Sequence, residues 1–237
     1  MTPQACPPRL PVPRRRIRAR AAGLAISLAA ALVAPAPDAR AAAMSAPELD
    51  PGALEAERSL RAAELRSGDE TAMALYRKAS EQAQAALARN PRSPSANFVY
   101  FAATGRILLA DGLTKNLFTL RNLDKTYLDR AIELDPAYAN ALAAKGGVLL
   151  DLPKLIGGDP AEGLRLLKKA SRLNPGGVGT RVSLAKALAR NGDVDDARRE
   201  ARMAAHQACV QGRRKALDEA TALLSELDNS VASAGLR

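Results

Sequence analysis

The sequence predicts an all-α chain, an α-solenoid of antiparallel helical hairpins closed by a C-terminal capping helix. Three observations lead there. Ala and Leu dominate the apolar residues, only 3% of the chain is aromatic and Trp is missing; such a composition suits closely packed helices better than strands. A helix end closed by proline recurs along the chain. No stretch alternates apolar and polar residues over the length that a half-buried strand needs.

Residues 1–43 read as an export signal. A basic stretch at 14–20 is followed by an apolar, charge-free run at 21–37 and a small-residue segment at 39–43 with alanine pairs at cleavage spacing. Cleavage is expected near residues 41–43, leaving no stable membrane span, because the run is short and ends in prolines. The expected location is the bacterial periplasm. Arg14-Arg15-Arg16-Ile17 loosely resembles a twin-arginine signal, which an arginine-rich leader also produces by chance. The long alanine-rich core argues against a mitochondrial transit peptide.

The net charge of +10 belongs mostly to this leader, which holds seven arginines and one acid. Beyond it the chain has 28 basic and 24 acidic residues, so no broad nucleic-acid surface is expected. Cys6 precedes the apolar run and cannot serve as a lipobox cysteine. Cys209 is the only cysteine after the leader and is expected to be a small buried helix residue without an intramolecular disulfide; an intermolecular one is the alternative.

Residues 44–52 read as a linker, 53–228 as the helical domain and 229–237 as a flexible tail. Within the domain, helices are expected at 53–66, 70–89, 95–110, 122–134, 137–150, 161–173, 178–190, 194–210 and 213–227, separated by Gly, Pro and Asn-rich turns. Asp159 is expected to cap the helix that begins at Pro160. Asn90-Pro91, Asp135-Pro136 and Asn174-Pro175 end three helices at intervals of 45 and 39 residues, each with an alanine five positions before the proline: Ala86, Ala131 and Ala170. A small residue there lets two helices approach, and the proline stops the helix and turns the chain.

These coupled positions resemble the tetratricopeptide repeat, a helical hairpin of 34 residues. Leu184-Ala185, Ala197 and Ala204 fit its small positions without insertion. Gly146, Gly163 and Ala170 fit with a longer loop, and Ala102 and Ala131 with a longer insertion. The resemblance covers about residues 53–210 and implies three such hairpins, with an N-terminal helix and a capping helix. The segment from Leu152 to Pro160, and Gly112-Leu-Thr-Lys-Asn-Leu before the helix ending at Asp135-Pro136, are similar to the TRAP-transporter-associated periplasmic tetratricopeptide proteins. That resemblance implies docking with a periplasmic solute-binding or envelope protein and leaves a homo-oligomer open.

Enzymatic chemistry has little to stand on. His206 is the only histidine, with Arg202 and Val210 one turn to either side, and no glycine-rich phosphate loop follows a strand. No catalytic residue, metal or cofactor is expected. In a tetratricopeptide array the concave groove is lined by the first helix of each hairpin, here Val99, Ala103, Arg106, Asn140, Ala143, Gly147, Val182 and Lys186. Its cations Arg106 and Lys186 suit an extended or acidic partner segment. The paired cations that clamp a C-terminal carboxylate in chaperone-binding relatives are not reproduced. Six of the seven aromatics lie at 98–138. Phe98 and Phe101 are expected in the core, while Lys115, Phe118 and Arg121 fall in an inserted segment, 112–121, where insertions into repeats commonly carry function. The partner-binding candidates are thus Arg106, Lys115, Phe118, Arg121, Asn140 and Lys186. The alternative is a carrier that shelters an apolar small molecule among the aromatics. Arg198-Arg199 and Arg213-Arg214-Lys215 are expected to form a solvated face.

Overall fold

The computed structural model describes residues 50–66 and 70–234, with side chains to residue 229. The leader, its cleavage point, most of the linker and the Ser67-Gly68-Asp69 turn lie outside the described residues. Nine helices form, with no strand among the described residues. They are α1 (Pro51–Leu65), α2 (Glu70–Arg89), α3 (Pro94–Asp111), α4 (residues 113–134), α5 (Ala139–Asp151), α6 (Pro160–Leu173), α7 (Val178–Arg190), α8 (Val194–Val210) and α9 (Arg214–Ala234). A 3₁₀ turn, Lys154–Ile156, lies between α5 and α6.

Local chemistry sets the helix ends. Asp159 accepts hydrogen bonds from the amides of Ala161 at 3.1 Å and Glu162 at 3.0 Å, with Pro160 in the first helical position, as the sequence predicts. Asp50 with Pro51, and Ser93 with Pro94, start α1 and α3 in the same way. At the three proline-closed ends, the amides of Asn90, Asp135 and Asn174 donate to the carbonyls of Ala86, Ala131 and Ala170 at 2.8, 3.0 and 2.9 Å. All three alanines are fully buried.

The odd-numbered helices form one layer, each touching the next odd-numbered one. Each even-numbered helix packs on the odd helix before it and the one after it. This is the expected α-solenoid, with α9 as its cap. The helix at the N-terminus is not single, however. α1 and α2 pack as a hairpin of their own, giving four hairpins in place of three. Pro51 and Gly52, expected in the linker, belong to α1, because Asp50 is its cap. The tail expected from 229 is helical to Ala234, since no Pro or Gly interrupts the chain before Gly235.

A larger correction concerns residues 112–121. Only Gly112 is a turn, with φ 125°. From Leu113 the chain is helical, and Leu113–Leu123, a π-helical turn at Asp124–Leu128 and Asp129–Leu134 run on as α4. Leu113, Leu117 and Leu120 recur at helical spacing, and no proline stands between them and Asp135. The inserted residues lengthen a helix rather than form a projecting loop. Asn116 closes the junction: its buried amide donates to the carbonyls of Leu108 at 2.9 Å and Gly112 at 3.0 Å, satisfying the end of α3.

Alanine and glycine set the helix spacing. A Cβ on Gly146 would lie 2.8 Å from Leu167 Cγ and 2.9 Å from the Gly163 carbonyl oxygen, and one on Gly163 would lie 2.8 Å from the Gly146 carbonyl oxygen. α5 and α6 therefore meet backbone to backbone. The largest fully buried side chains are Leu128, Leu142, Leu167, Val99 and Val178.

Candidate functional site

A groove of about 580 Å³ opens on the odd-numbered layer. Its walls come from the end of α1 (Glu64, Leu65), Tyr76 of α2, Arg106 of α3, Gly179, Val182 and Ser183 of α7, Arg213 just before α9, and residues 214–216, 218 and 219 of its first turns. Arg213 Nη2 lies 3.4 Å from Glu64 Oε2, so the first and last helices are joined across it. Lys186, one turn from Val182, pairs with Glu219 of the lining. Glu64 and Glu219 are thus engaged, while Arg106, Arg214 and Lys215 have no ion-pair partner among the described residues. Asp218 is the other carboxylate of the lining, so cations outnumber the carboxylates left to meet them. Burial pushes the Tyr76 hydroxyl up, against the opposing charge of Arg106.

Two of the predicted groove residues, Arg106 and Val182, line this cavity, and Lys186 reaches its rim through Glu219. Val99 and Ala103 do not line it; they are fully buried among α1, α2 and α3. α3 is apolar on nearly every side, so periodicity alone cannot tell its groove face from its core face. Ala143 packs partly into the core, and Asn140 is exposed beside Tyr138 without lining the groove. The sequence reading missed Glu64, Tyr76 and the 213–219 segment. The run Arg213-Arg214-Lys215 was their one signal, read there as a solvated face. Arg198 departs from that reading too, pairing with Asp228 of α9 at 2.6 Å.

Lys115, Phe118 and Arg121 lie elsewhere, on the early turns of α4. Phe118 is 84% exposed, Lys115 pairs with Asp111, and Arg121 donates to the carbonyl of Ile156. Among the aromatics, Phe98 and Phe101 are partly buried and pack into the core. Phe98 meets Tyr138 edge-on at 5.4 Å, and the Tyr138 hydroxyl donates to Glu57 at 2.9 Å. Phe98 and Tyr138 thus pack against each other, and neither lines either groove. Tyr100 and Tyr127 meet at 4.5 Å with their rings tilted by 55°, and both line a smaller groove of about 360 Å³.

The π-helical turn brings Asp124 inside, where Lys145 of α5 reaches it at 2.9 Å and Asp129 at 2.7 Å. Burial pushes the Asp124 carboxyl up in spite of Lys145. Burial also opposes the Lys145 charge, but hydrogen bonds to Asp129 and Asp124 outweigh it and hold the ammonium above its ordinary value. Among the described residues no group of His, Cys, Asp and Glu is arranged to hold a metal ion. Cys209 is half-buried near the end of α8, where Ala208 takes the buried position, and it is not a free thiol, contrary to expectation. Cys6 lies outside the described residues.

The span from the 3₁₀ turn through α6, α7 and most of α8 has the hairpin spacing and buried alanines already described. Residues 155–208 match the tetratricopeptide repeat. In that tetratricopeptide segment Ala170, Ala185, Ala197 and Ala204 are fully buried, as the repeat's small positions require. No curated protein matches the chain. Tetratricopeptide repeats mediate protein–protein interactions, which supports an adaptor role and a protein partner.

Proposed function

We propose that the chain is an exported adaptor that holds an extended, acidic partner segment in the groove between α1, α3, α7 and α9. The observation that carries this reading is the lining itself: unengaged Arg106, Arg214 and Lys215 stand beside the apolar side chains of Leu65 and Val182. An extended segment can satisfy both with alternate side chains, and desolvated charge pairs favour an acidic one. The partner class we favour is a periplasmic solute-binding or envelope protein of a solute transport system. The leader and the similarity at 112–117 and 152–160 support that choice.

Crosslinking of the tagged protein in its own cells, followed by mass spectrometry, tests the reading. One solute-binding or envelope protein should be recovered. Arg106→Glu together with Arg214→Glu should lower its recovery roughly tenfold or more, with helix content unchanged by circular dichroism. Equal recovery by the double variant would remove the groove from the site. Capture of the chain by itself alone would replace the adaptor with a homo-oligomer.

A further inference from the structure

We propose that a second surface, where the early turns of α4 meet the Lys154–Ile156 turn, rests against an anionic membrane surface. Phe118 is 84% exposed and Leu155 is 99% exposed. They come from separate elements tied at one edge: Arg121, three residues after Phe118, donates to the carbonyl of Ile156, the residue after Leu155. The turn that presents Leu155 is tightly built. Gly157 has φ 97°, and a Cβ on Gly158 would lie 1.8 Å from the Leu152 carbonyl oxygen. Two large apolar side chains held out in water mark an interaction surface.

Their form and surroundings decide the occupant. Both side chains stand out from the protein, and neither lines the two grooves. A protein partner must supply a pocket for each, whereas a bilayer interface accepts projecting Phe and Leu as they are. Lys115 shares a helix face with Phe118, Lys154 precedes Leu155, and Lys125 lies further along α4. The carboxylates of these two segments are already engaged: Asp111 by Lys115 and Asn116, Asp124 by Lys145, Asp151 by Arg190, and Asp159 by the amides that open α6. Lys125 and Lys154 have no carboxylate partner among the described residues. Exposed apolar tips on the same two segments as the unpaired Lys125 and Lys154 complement anionic lipid headgroups. No described helix is long and apolar enough to cross a membrane, so the contact is peripheral.

The chain has no Trp, so Phe118→Trp and Leu155→Trp each place a single indole at the surface in question, and Lys168→Trp on exposed α6 serves as control. Vesicles of phosphatidylcholine with phosphatidylglycerol should shift the emission of the first two to the blue and leave the control unshifted. Phosphatidylcholine alone should act weakly, and adding Lys154→Ala to Phe118→Trp should lower vesicle affinity about fivefold. No shift at either position, or an equal shift in the control, would overturn the proposal. So would a blue shift that grows with protein concentration without vesicles, which assigns the surface to a second copy, or one produced by soluble extract and not by vesicles, which assigns it to a protein.

Discussion

Gly146 and Gly163 show how much of this packing rests on a missing methyl group. In an exposed helix interior, Gly→Ala gains up to about 1 kcal/mol through propensity. At Gly163 that gain meets the Gly146 carbonyl oxygen 2.8 Å from the new Cβ, a rigid backbone atom. Gly163→Ala is therefore expected to destabilise the chain by about 2 kcal/mol, read from the denaturant midpoint. Gly147, the next residue after Gly146, has nothing within 4 Å of its would-be Cβ, so Gly147→Ala should stabilise by roughly 0.5–1 kcal/mol. Gly147 stands in α5 and Gly163 in α6, and their surroundings separate the outcomes. The same contrast explains the three buried alanines before the prolines, which the sequence alone identifies because their spacing is coupled to a residue that must end a helix.

At the scale of elements, polar side chains tie α5 to α1 and to α4. Tyr138 at the head of α5 reaches Glu57 of α1, and Lys145 holds Asp124 and Asp129 of α4. Burial first, then the Glu57 charge and hydrogen bond, raise the Tyr138 hydroxyl, and the two carboxylates raise Lys145. The folded chain keeps both protons to higher pH than the unfolded chain, which releases them near pH 10. Stability from these two groups is thus intact below about pH 10 and falls as pH rises beyond it. Urea midpoints at pH 8 and pH 11 should show this loss, and Tyr138→Phe with Lys145→Met should flatten it. A pH slope unchanged by both substitutions would remove these groups as its source. The long α4 is also the element least legible in the sequence. Repeat spacing placed Asp135-Pro136 and Ala131 correctly, but it assigned the surplus residues to a loop. A helix absorbs them through added turns and one π turn, and no proline or glycine inside residues 113–134 forbids it. The register of α3 was hidden for a different reason: with apolar residues all round, its core and groove faces differ only in what they touch.

For the whole molecule, hairpin order and the cap follow from the proline-closed ends, but the groove does not. It depends on Glu64 and Arg213, 149 positions apart, coming together, and nothing local in either segment announces that. The result is a cationic groove on the odd-numbered layer and, apart from it, the Phe118–Leu155 surface. The groove is where the partner is proposed to be held. A photo-crosslinking residue at Ser183, in the lining, and another at Lys168, exposed on α6, test this in cells. One crosslinked partner is expected from Ser183 and none from Lys168. Crosslinks from Lys168 with none from Ser183 would place the partner on another face and contradict the proposal.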